Sequence, residues 1–255
     1  DVPDENRNLC MTCHHKRGEP DLGTSGTSTR GAHSPEGPML LGEAGWWPPG
    51  TEIPGGLDRI STSHGSQRNP RMCAGCHVEK YEVRDRATNA FIMNVTGHRF
   101  LATPCVDANG VPTRDQSCGR NLTQRRFTAC ATSGCHASVD QARSADAVAY
   151  QRIQTLNAQL KNQLSRVPRT EFSSTDRRFT VAEGTQFNTT LGDKTGSWVH
   201  NPFLMEALLT ASIRAVQATY GIAPAVAVSL ENTMLNKLVA SAPAVAGTAV
   251  AAGGR

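Results

Sequence analysis

The stretch Cys73-Ala-Gly-Cys76-His77 decides the fold expected for the first half of the chain. Its two cysteines are separated by two residues and followed at once by a histidine. The same C-x-x-C-H pattern occurs earlier as Cys10-Met-Thr-Cys13-His14. A third cluster, Cys130-Ala-Thr-Ser-Gly-Cys135-His136, keeps the histidine but has four residues between its cysteines. The three clusters use six of the eight cysteines in the chain.

The C-x-x-C-H pattern is the signature of c-type haem attachment. Two thiols add across the two vinyl groups of a haem, and the following histidine becomes the proximal ligand of the iron. The cysteines must be close in sequence because the vinyl groups lie along one edge of one ring, and a bulged turn can accommodate four intervening residues. We therefore expect three covalent haems, with thioether bonds from Cys10, Cys13, Cys73, Cys76, Cys130 and Cys135 and proximal ligands His14, His77 and His136.

Zinc binding and thiol redox chemistry are the alternative explanations of such cysteine pairs. A zinc ribbon places two C-x-x-C clusters about 15–20 residues apart, whereas about 60 residues separate the first two clusters here. A thioredoxin-like C-x-x-C belongs in a βαβ pattern, and no such pattern surrounds these clusters. Both alternatives are therefore disfavoured.

Cys105 and Cys118 are the two remaining cysteines, and neither is followed by histidine. They flank a turn-rich stretch, so we expect a disulfide that closes this loop. Haem c is attached outside the reducing cytoplasm, where disulfides persist. The expected location is therefore secreted, extracellular or at the cell surface, with the periplasm as the alternative. The first residues show no secretory signal, which we expect to have been removed.

The number of histidines favours electron transfer over catalysis. Five of the eight histidines are not proximal ligands, and three haems need only three distal ligands. An iron with two histidine ligands has no open position for a substrate. No C-x-x-C-K cluster marks an open haem of the reductase kind. We expect an electron-transfer protein and no catalytic residues, with a multihaem reductase as an alternative.

The five candidate distal ligands differ in their local sequence. His98 follows a glycine that allows close approach to a ring, His64 precedes the second cluster by nine residues, and His33 precedes an apolar run. His200 immediately precedes a predicted helix, and His15 adjoins a proximal ligand and cannot easily face the same haem. The preferred distal set is therefore His33, His64 and His98, followed by His200 and then His15.

The composition predicts a mostly irregular, loop-rich, haem-packed fold with a few α-helices and little β-structure. Only 38% of the residues are hydrophobic, while 23 are glycine and 14 are proline. A soluble domain usually has about 45–50% apolar residues when glycine is included. The first 140 residues fall short of this range, so haem is expected to fill part of the interior there. We divide the chain into a three-haem region (1–140), a helical cover with a polar excursion (141–221) and a C-terminal tail (222–255).

Two helices are predicted in the second half of the chain. Apolar residues recur every three or four positions from Ser138 to about Val167, and Pro168 ends the pattern. Asn201 and Pro202 form a typical helix start, and Gly221 a typical end. Residues 170–197 are Thr-rich and polar and are predicted to form a hairpin or an irregular excursion. The Ala/Val/Pro-rich tail is predicted to lie in an interface between subunits.

Charge and hydropathy exclude two classes of partner. The formal net charge is only +4, with no block of like charges typical of a nucleic-acid-binding arm. No run approaches the roughly 18 apolar residues of a membrane helix. We therefore expect neither nucleic-acid binding nor a transmembrane segment.

Residues 1–140 resemble the multihaem c-type cytochromes of metal-reducing and related bacteria. The resemblance is carried by Cys10-Met-Thr-Cys13-His14-His15-Lys-Arg, by the stretch from His64 to His77, and by Gly97-His98-Arg-Phe100; Val199-His200-Asn-Pro-Phe203 adds a weaker match. In that family the histidines aligned with His64 and His98 are usual distal ligands, and His33 is similar to one. The C-x4-C-H cluster and the presence of only three haems depart from the four- and six-haem members.

The resemblance also implies a possible assembly. The family includes extracellular cytochrome filaments, or nanowires, in which some members use a histidine near the first haem cluster to bridge subunits. His15 is placed for that role here. The expected partners are copies of the chain in a helical homopolymer and redox proteins or extracellular electron acceptors. A monomeric electron shuttle is the alternative.

Overall fold

The computed structural model describes residues 9–20, 30–96, 100–132, 134–173 and 178–241. Within these ranges there are seven α-helices and one two-stranded sheet. The helices are α1 (Glu36–Leu41), α2 (Cys73–His77), α3 (Val139–Leu164), α4 (Val181–Gly192), α5 (Ser197–His200), α6 (Pro202–Tyr220) and α7 (Thr233–Ser241). The strands β1 (Lys80–Arg84) and β2 (Phe91–Thr96) form an antiparallel hairpin.

The main core lies between the long helices α3, α4 and α6, which pack on one another. Ile153, Leu156 and Leu160 of α3 meet Leu208 of α6 and Phe187 of α4 there, each with at most 1% of its surface exposed. Full burial of such a side chain contributes about 1.5–3 kcal/mol to folding. This helical unit is the rigid body against which the cysteine clusters are placed.

The two predicted long helices are confirmed, although α3 ends at Leu164, three residues before the predicted limit near Val167. Ser138 caps α3 by accepting a hydrogen bond from the Gln141 amide, and the helix ends before Pro168. The Asn201 side chain caps α6 by accepting from the Leu204 amide, and Gly221, with φ of 68°, ends it. Only glycine adopts this left-handed conformation without steric cost.

The prediction of an irregular excursion across 170–197 is wrong, because residues Val181–Gly192 form the buried helix α4. Thr180 and Glu183 close a reciprocal capping box at its start. The threonine hydroxyls donate to carbonyls of the preceding turn, for example Thr185 to Val181 at 2.6 Å. A hydrogen-bonded hydroxyl can be buried at little cost, so a Thr-rich segment here forms a core helix.

The described residues before 139 are largely loops and short helical turns, as the composition predicts. A small apolar cluster of Met11, Leu40, Leu41 and Met72 lies beneath the first two cysteine clusters. Met39 and Ile60, however, are buried in the main helical core. The loops are therefore attached to the helices by side-chain packing, which the low apolar content of 1–70 does not predict.

The part of the tail that the structure describes contains helix α7. Leu235 on this helix is buried in the main core. The α6 carboxylate Glu206, wholly buried, accepts hydrogen bonds from the Met234 amide and from Arg152. Residues 242–255 lie outside the described residues, so the predicted interface role of the tail stays a prediction.

No helix within the described ranges is long and apolar enough to span a bilayer.

Candidate haem-binding site

The second cysteine cluster forms the single-turn helix α2, which ends at His77. The Asn69 side-chain amide fixes the approach to this helix by donating to the carbonyls of Met72 and His64 at 3.2 and 2.8 Å. The imidazole Nδ1 of His77 lies 2.5 Å from the Phe100 carbonyl oxygen. Because a carbonyl can only accept, Nδ1 carries the proton and Nε2 has the lone pair available to a metal.

The first and third clusters close in the same way in spite of their different lengths. The His14 amide donates to the Cys10 carbonyl at 3.0 Å, and the His136 amide donates to the Cys130 carbonyl at 3.1 Å. In both clusters, therefore, a hydrogen bond from the histidine amide to the carbonyl of the first cysteine closes the turn. The two extra residues of the third cluster extend the turn without changing this closure.

His14 is held by the segment that leads into α1. Its Nδ1 lies 3.0 Å from a carboxylate oxygen of Glu36, and its carbonyl accepts from the Gly37 amide at 2.7 Å. A Cβ atom at position 37 would lie 2.8 Å from the same carbonyl, so only glycine allows this approach. A carboxylate bonded to Nδ1 is a common second partner of metal-binding histidines.

The thiols of the three clusters are close to one another. The Cys73 thiol is hydrogen-bonded to that of Cys10, and burial and this neighbour raise its pKa to about 11. Burial, followed by the nearby Cys76 thiol, raises the pKa of Cys130 to about 12. The pKa of Cys76 is also raised, by burial and then by Cys135. The second cluster is therefore close to both the first and the third.

A zinc site needs several cysteine, histidine or acidic ligands around one ion. Within the described ranges, no three histidine, cysteine or acidic side chains converge as ligands of one metal ion. Cys105 and Cys118 are joined by a disulfide, the pairing that the sequence predicts, and the six cysteines of the clusters form no disulfide.

Two of the three cluster histidines face a second histidine. The rings of His77 and His200 have centroids 6.2 Å apart and planes inclined by 29°. The rings of His64 and His136 have centroids 6.3 Å apart and planes inclined by 53°. Each pair joins a histidine of a cysteine cluster to one that is distant in sequence.

The spacing of both pairs fits two imidazoles on opposite sides of one iron. A metal–imidazole bond is about 2.0–2.1 Å long, and each ring nitrogen lies about 1.1 Å from the ring centroid, so the two centroids would be about 6.3 Å apart. The observed values are 6.2 and 6.3 Å. Rings in van der Waals contact would have closer centroids. The pairs therefore have the separation that a haem iron requires.

The protonation of the two distant histidines also suits metal binding. Burial and, to a smaller extent, the adjacent His77 lower the pKa of His200 to about 4. The pKa of His64 is lowered by burial, although its bond to the Val199 carbonyl opposes this. Both rings are therefore neutral at pH 7, which is the form that coordinates iron. The His200 Nδ1 is buried without a hydrogen-bond partner among the described residues.

His200 is held in place by helix α5 and its contacts with α3. The Trp198 indole donates to the Asp146 carboxylate at 2.8 Å and packs edge-on against Tyr150. Gly196 begins α5 with φ of 85°, and a Cβ atom there would lie 3.1 Å from the His200 ring. Two features therefore favour glycine at position 196: the left-handed backbone and the space that the His200 ring occupies.

Apolar side chains are exposed beside the cysteine clusters. Leu9, next to Cys10, is 86% exposed, and Phe100, whose carbonyl holds His77, is 60% exposed. Leu101 is 40% exposed. Exposed apolar surface beside each of these two clusters is of the kind that a porphyrin would cover.

The remaining distal candidates lie outside the two pairs. His33 and His15 are exposed, and the His15 Nδ1 lies 2.6 Å from the Met11 carbonyl oxygen. His98 lies outside the described residues. The structure thus brings His64 and His200 opposite cluster histidines, although the sequence favours His33 over His200.

Three supporting residues were not identified by the sequence analysis as part of the site. They are Asn69, Thr62 and, beyond its role as a helix cap, Asn201. The turn-forming sequence Asn69-Pro70 before the second cluster is the one local signal for the first of them. The other two act through long-range contacts that have no local signal.

No family model, curated protein or solved structure matches this chain.

Proposed function

We propose that the protein transfers electrons through three covalently attached c-type haems. The observation that carries the proposal is the separation of about 6.2–6.3 Å in the two opposed histidine pairs. Haem supplies reversible one-electron oxidation and reduction of its iron. The three cysteine clusters would hold the haems by thioether bonds, with His14, His77 and His136 as proximal ligands.

The opposed rings support a revised choice of distal ligands. His200 would serve the haem of the second cluster, and His64 the haem of the third. For the first cluster, His33, His98 and His15 remain candidates. Two histidines on each iron would exclude small molecules from it, so the proposal is for electron transfer and not for catalysis.

The hydrogen bonds on Nδ1 support this role of the histidines. His14, His64 and His77 each bond an oxygen acceptor through Nδ1. Such a bond fixes the tautomer and the orientation of the ring and makes the other nitrogen a better ligand. The chain would therefore hold the rings in place before and after each electron passes.

We further propose that the protein acts outside the cytoplasm as the repeating subunit of a cytochrome filament. The disulfide supports an oxidising compartment. The exposed His15, with Nδ1 bonded to its own turn, has Nε2 as a possible ligand for a neighbouring subunit. A head-to-tail contact that does not close gives an open fibre. A monomeric shuttle is the alternative assembly.

Haem content is the first test of this proposal. Pyridine haemochrome assay and intact mass should give three haems per chain, and reduced protein should remain low-spin and not bind carbon monoxide. One haem, or bound zinc, would refute the proposal, and ready carbon monoxide binding would favour a reductase. Negative-stain microscopy of the native protein tests the filament, since discrete particles at all concentrations would leave the shuttle.

A further inference from the structure

Asn201 is completely buried, and all its side-chain hydrogen-bonding groups are used within the protein. Its Oδ1 accepts from the Leu204 amide at 3.0 Å, which caps α6. Its Nδ2 donates to the carbonyls of Met39 at 3.0 Å and Ile60 at 2.8 Å. One side chain therefore joins the start of α6 to two loop segments that are far away in sequence.

The segments joined by Asn201 carry the two histidines proposed as distal ligands. His200 directly precedes Asn201, and Ile60 begins the short segment that leads to His64. Between them, the buried hydroxyl of Thr62 accepts from the His64 amide at 3.1 Å and donates to the His200 carbonyl at 3.4 Å. The His64 ring in turn donates to the Val199 carbonyl at 2.7 Å.

Helix capping alone does not require asparagine at this position. Aspartate and serine cap helices about as well, because a cap needs only an oxygen acceptor. The two donations to Met39 and Ile60 need an amide N–H₂ group, which neither residue has. The choice of asparagine is therefore explained by the connection to the loops.

We propose that Asn201 is a positioning residue that fixes His200 and His64 relative to each other and so sets the relation between two haem sites. This inference rests on the proposed function. Movement of the Ile60 segment would rotate the His64 ring against His136, and movement of the α6 start would rotate His200 against His77. Loss of the two hydrogen bonds donated by the Asn201 amide would release both segments.

The test compares Asn201→Asp with Thr180→Ala. The aspartate keeps the α6 cap but presents a carboxylate oxygen, not an N–H group, to two carbonyls. Thr180→Ala removes the α4 cap, a hydroxyl that bonds the Glu183 amide and the Glu171 carbonyl, and serves as the control for lost stability. The measurement is low-temperature EPR of the ferric protein, with hydrogen exchange of residues 60–64.

We expect Asn201→Asp to shift the largest g values of two haems and to speed exchange in residues 60–64. Thr180→Ala should lower the unfolding temperature and leave both the g values and the exchange of residues 60–64 unchanged. If Asn201→Asp does not bind haem, Asn201→Ser, which lacks the repulsion, and Thr62→Val, which removes the bridging hydroxyl, provide the same readings.

Variants with full haem, wild-type g values and wild-type exchange would overturn the inference. A wild-type protein without low-spin haem would instead refute the proposed function, so the two failures are distinguishable. Wild-type spectra are recorded first for this reason.

Discussion

The imidazole planes of His77 and His200 are inclined by only 29°, whereas those of His64 and His136 are inclined by 53°. In low-spin ferric haem, nearly parallel axial imidazoles separate the energies of two iron d orbitals. A larger angle between the two ring planes brings these energies closer together and raises the largest g value. The two pairs should therefore give different EPR signals.

We predict that the haem proposed for the third cluster has a larger maximum g value than the haem proposed for the second cluster. His64→Met should remove the signal of the third-cluster haem, and His200→Met should remove the signal of the second-cluster haem. The two variants therefore assign the two signals. Two signals at the same position, or assignments in the reverse order, would contradict the observed ring angles.

If the chain binds haem as proposed, His200→Ala should open one of the three irons. The second-cluster haem would lose its distal ligand, because the buried site contains no other described histidine facing His77. About one equivalent of carbon monoxide should then bind to the reduced protein, and a high-spin component should appear. Val199→Ala is the matched control, since it keeps both His200 and the carbonyl that accepts from His64. Equal carbon monoxide binding by both variants would exclude His200 as the ligand.

The sequence predicts the structural elements that depend on local chemistry. It does not predict the pairing of histidines, which depends on contacts between residues that are distant in sequence. Helices α3 and α6 follow from apolar periodicity and caps, and the disulfide from the turn-rich loop between its cysteines. Helix α4 was not predicted, because the hydroxyl bonds that allow threonine burial are invisible in a hydropathy pattern. Likewise, His200 meets His77 because Asn201 and Trp198 attach its segment to remote loops and to α3, and no local pattern encodes these contacts.

Gly184→Ala should destabilise the protein. Gly184 lies in α4 beneath the Trp46 indole, and a Cβ atom there would be 2.2 Å from the ring. Overpacking of this kind costs about 1–3 kcal/mol, which denaturant unfolding would measure. Gly31→Ala is the matched control, because its Cβ would lie 3.4 Å from the Thr190 side chain. An equal stability of the two variants would show that Trp46 does not pack closely on α4.

Counting thiols under denaturing, non-reducing conditions distinguishes haem attachment from every thiol-based alternative. Eight cysteines are present. If three haems consume six of them as thioethers and Cys105 and Cys118 form the disulfide, iodoacetamide should label none, because neither bond reacts with it. After reduction, two cysteines should be labelled, and peptide mapping should place both labels at Cys105 and Cys118.

The same experiment has a clear opposite result. A zinc protein would release its metal on denaturation and give six labelled cysteines before reduction, those of the three clusters. Cys105→Ser/Cys118→Ser is the control: it should give no label before or after reduction, and it should lose about 2–4 kcal/mol of stability with the cross-link. Labelling of both Cys130 and Cys135, and of no other cysteine, would show that the longer third cluster attaches no haem, and the protein would then be a two-haem carrier.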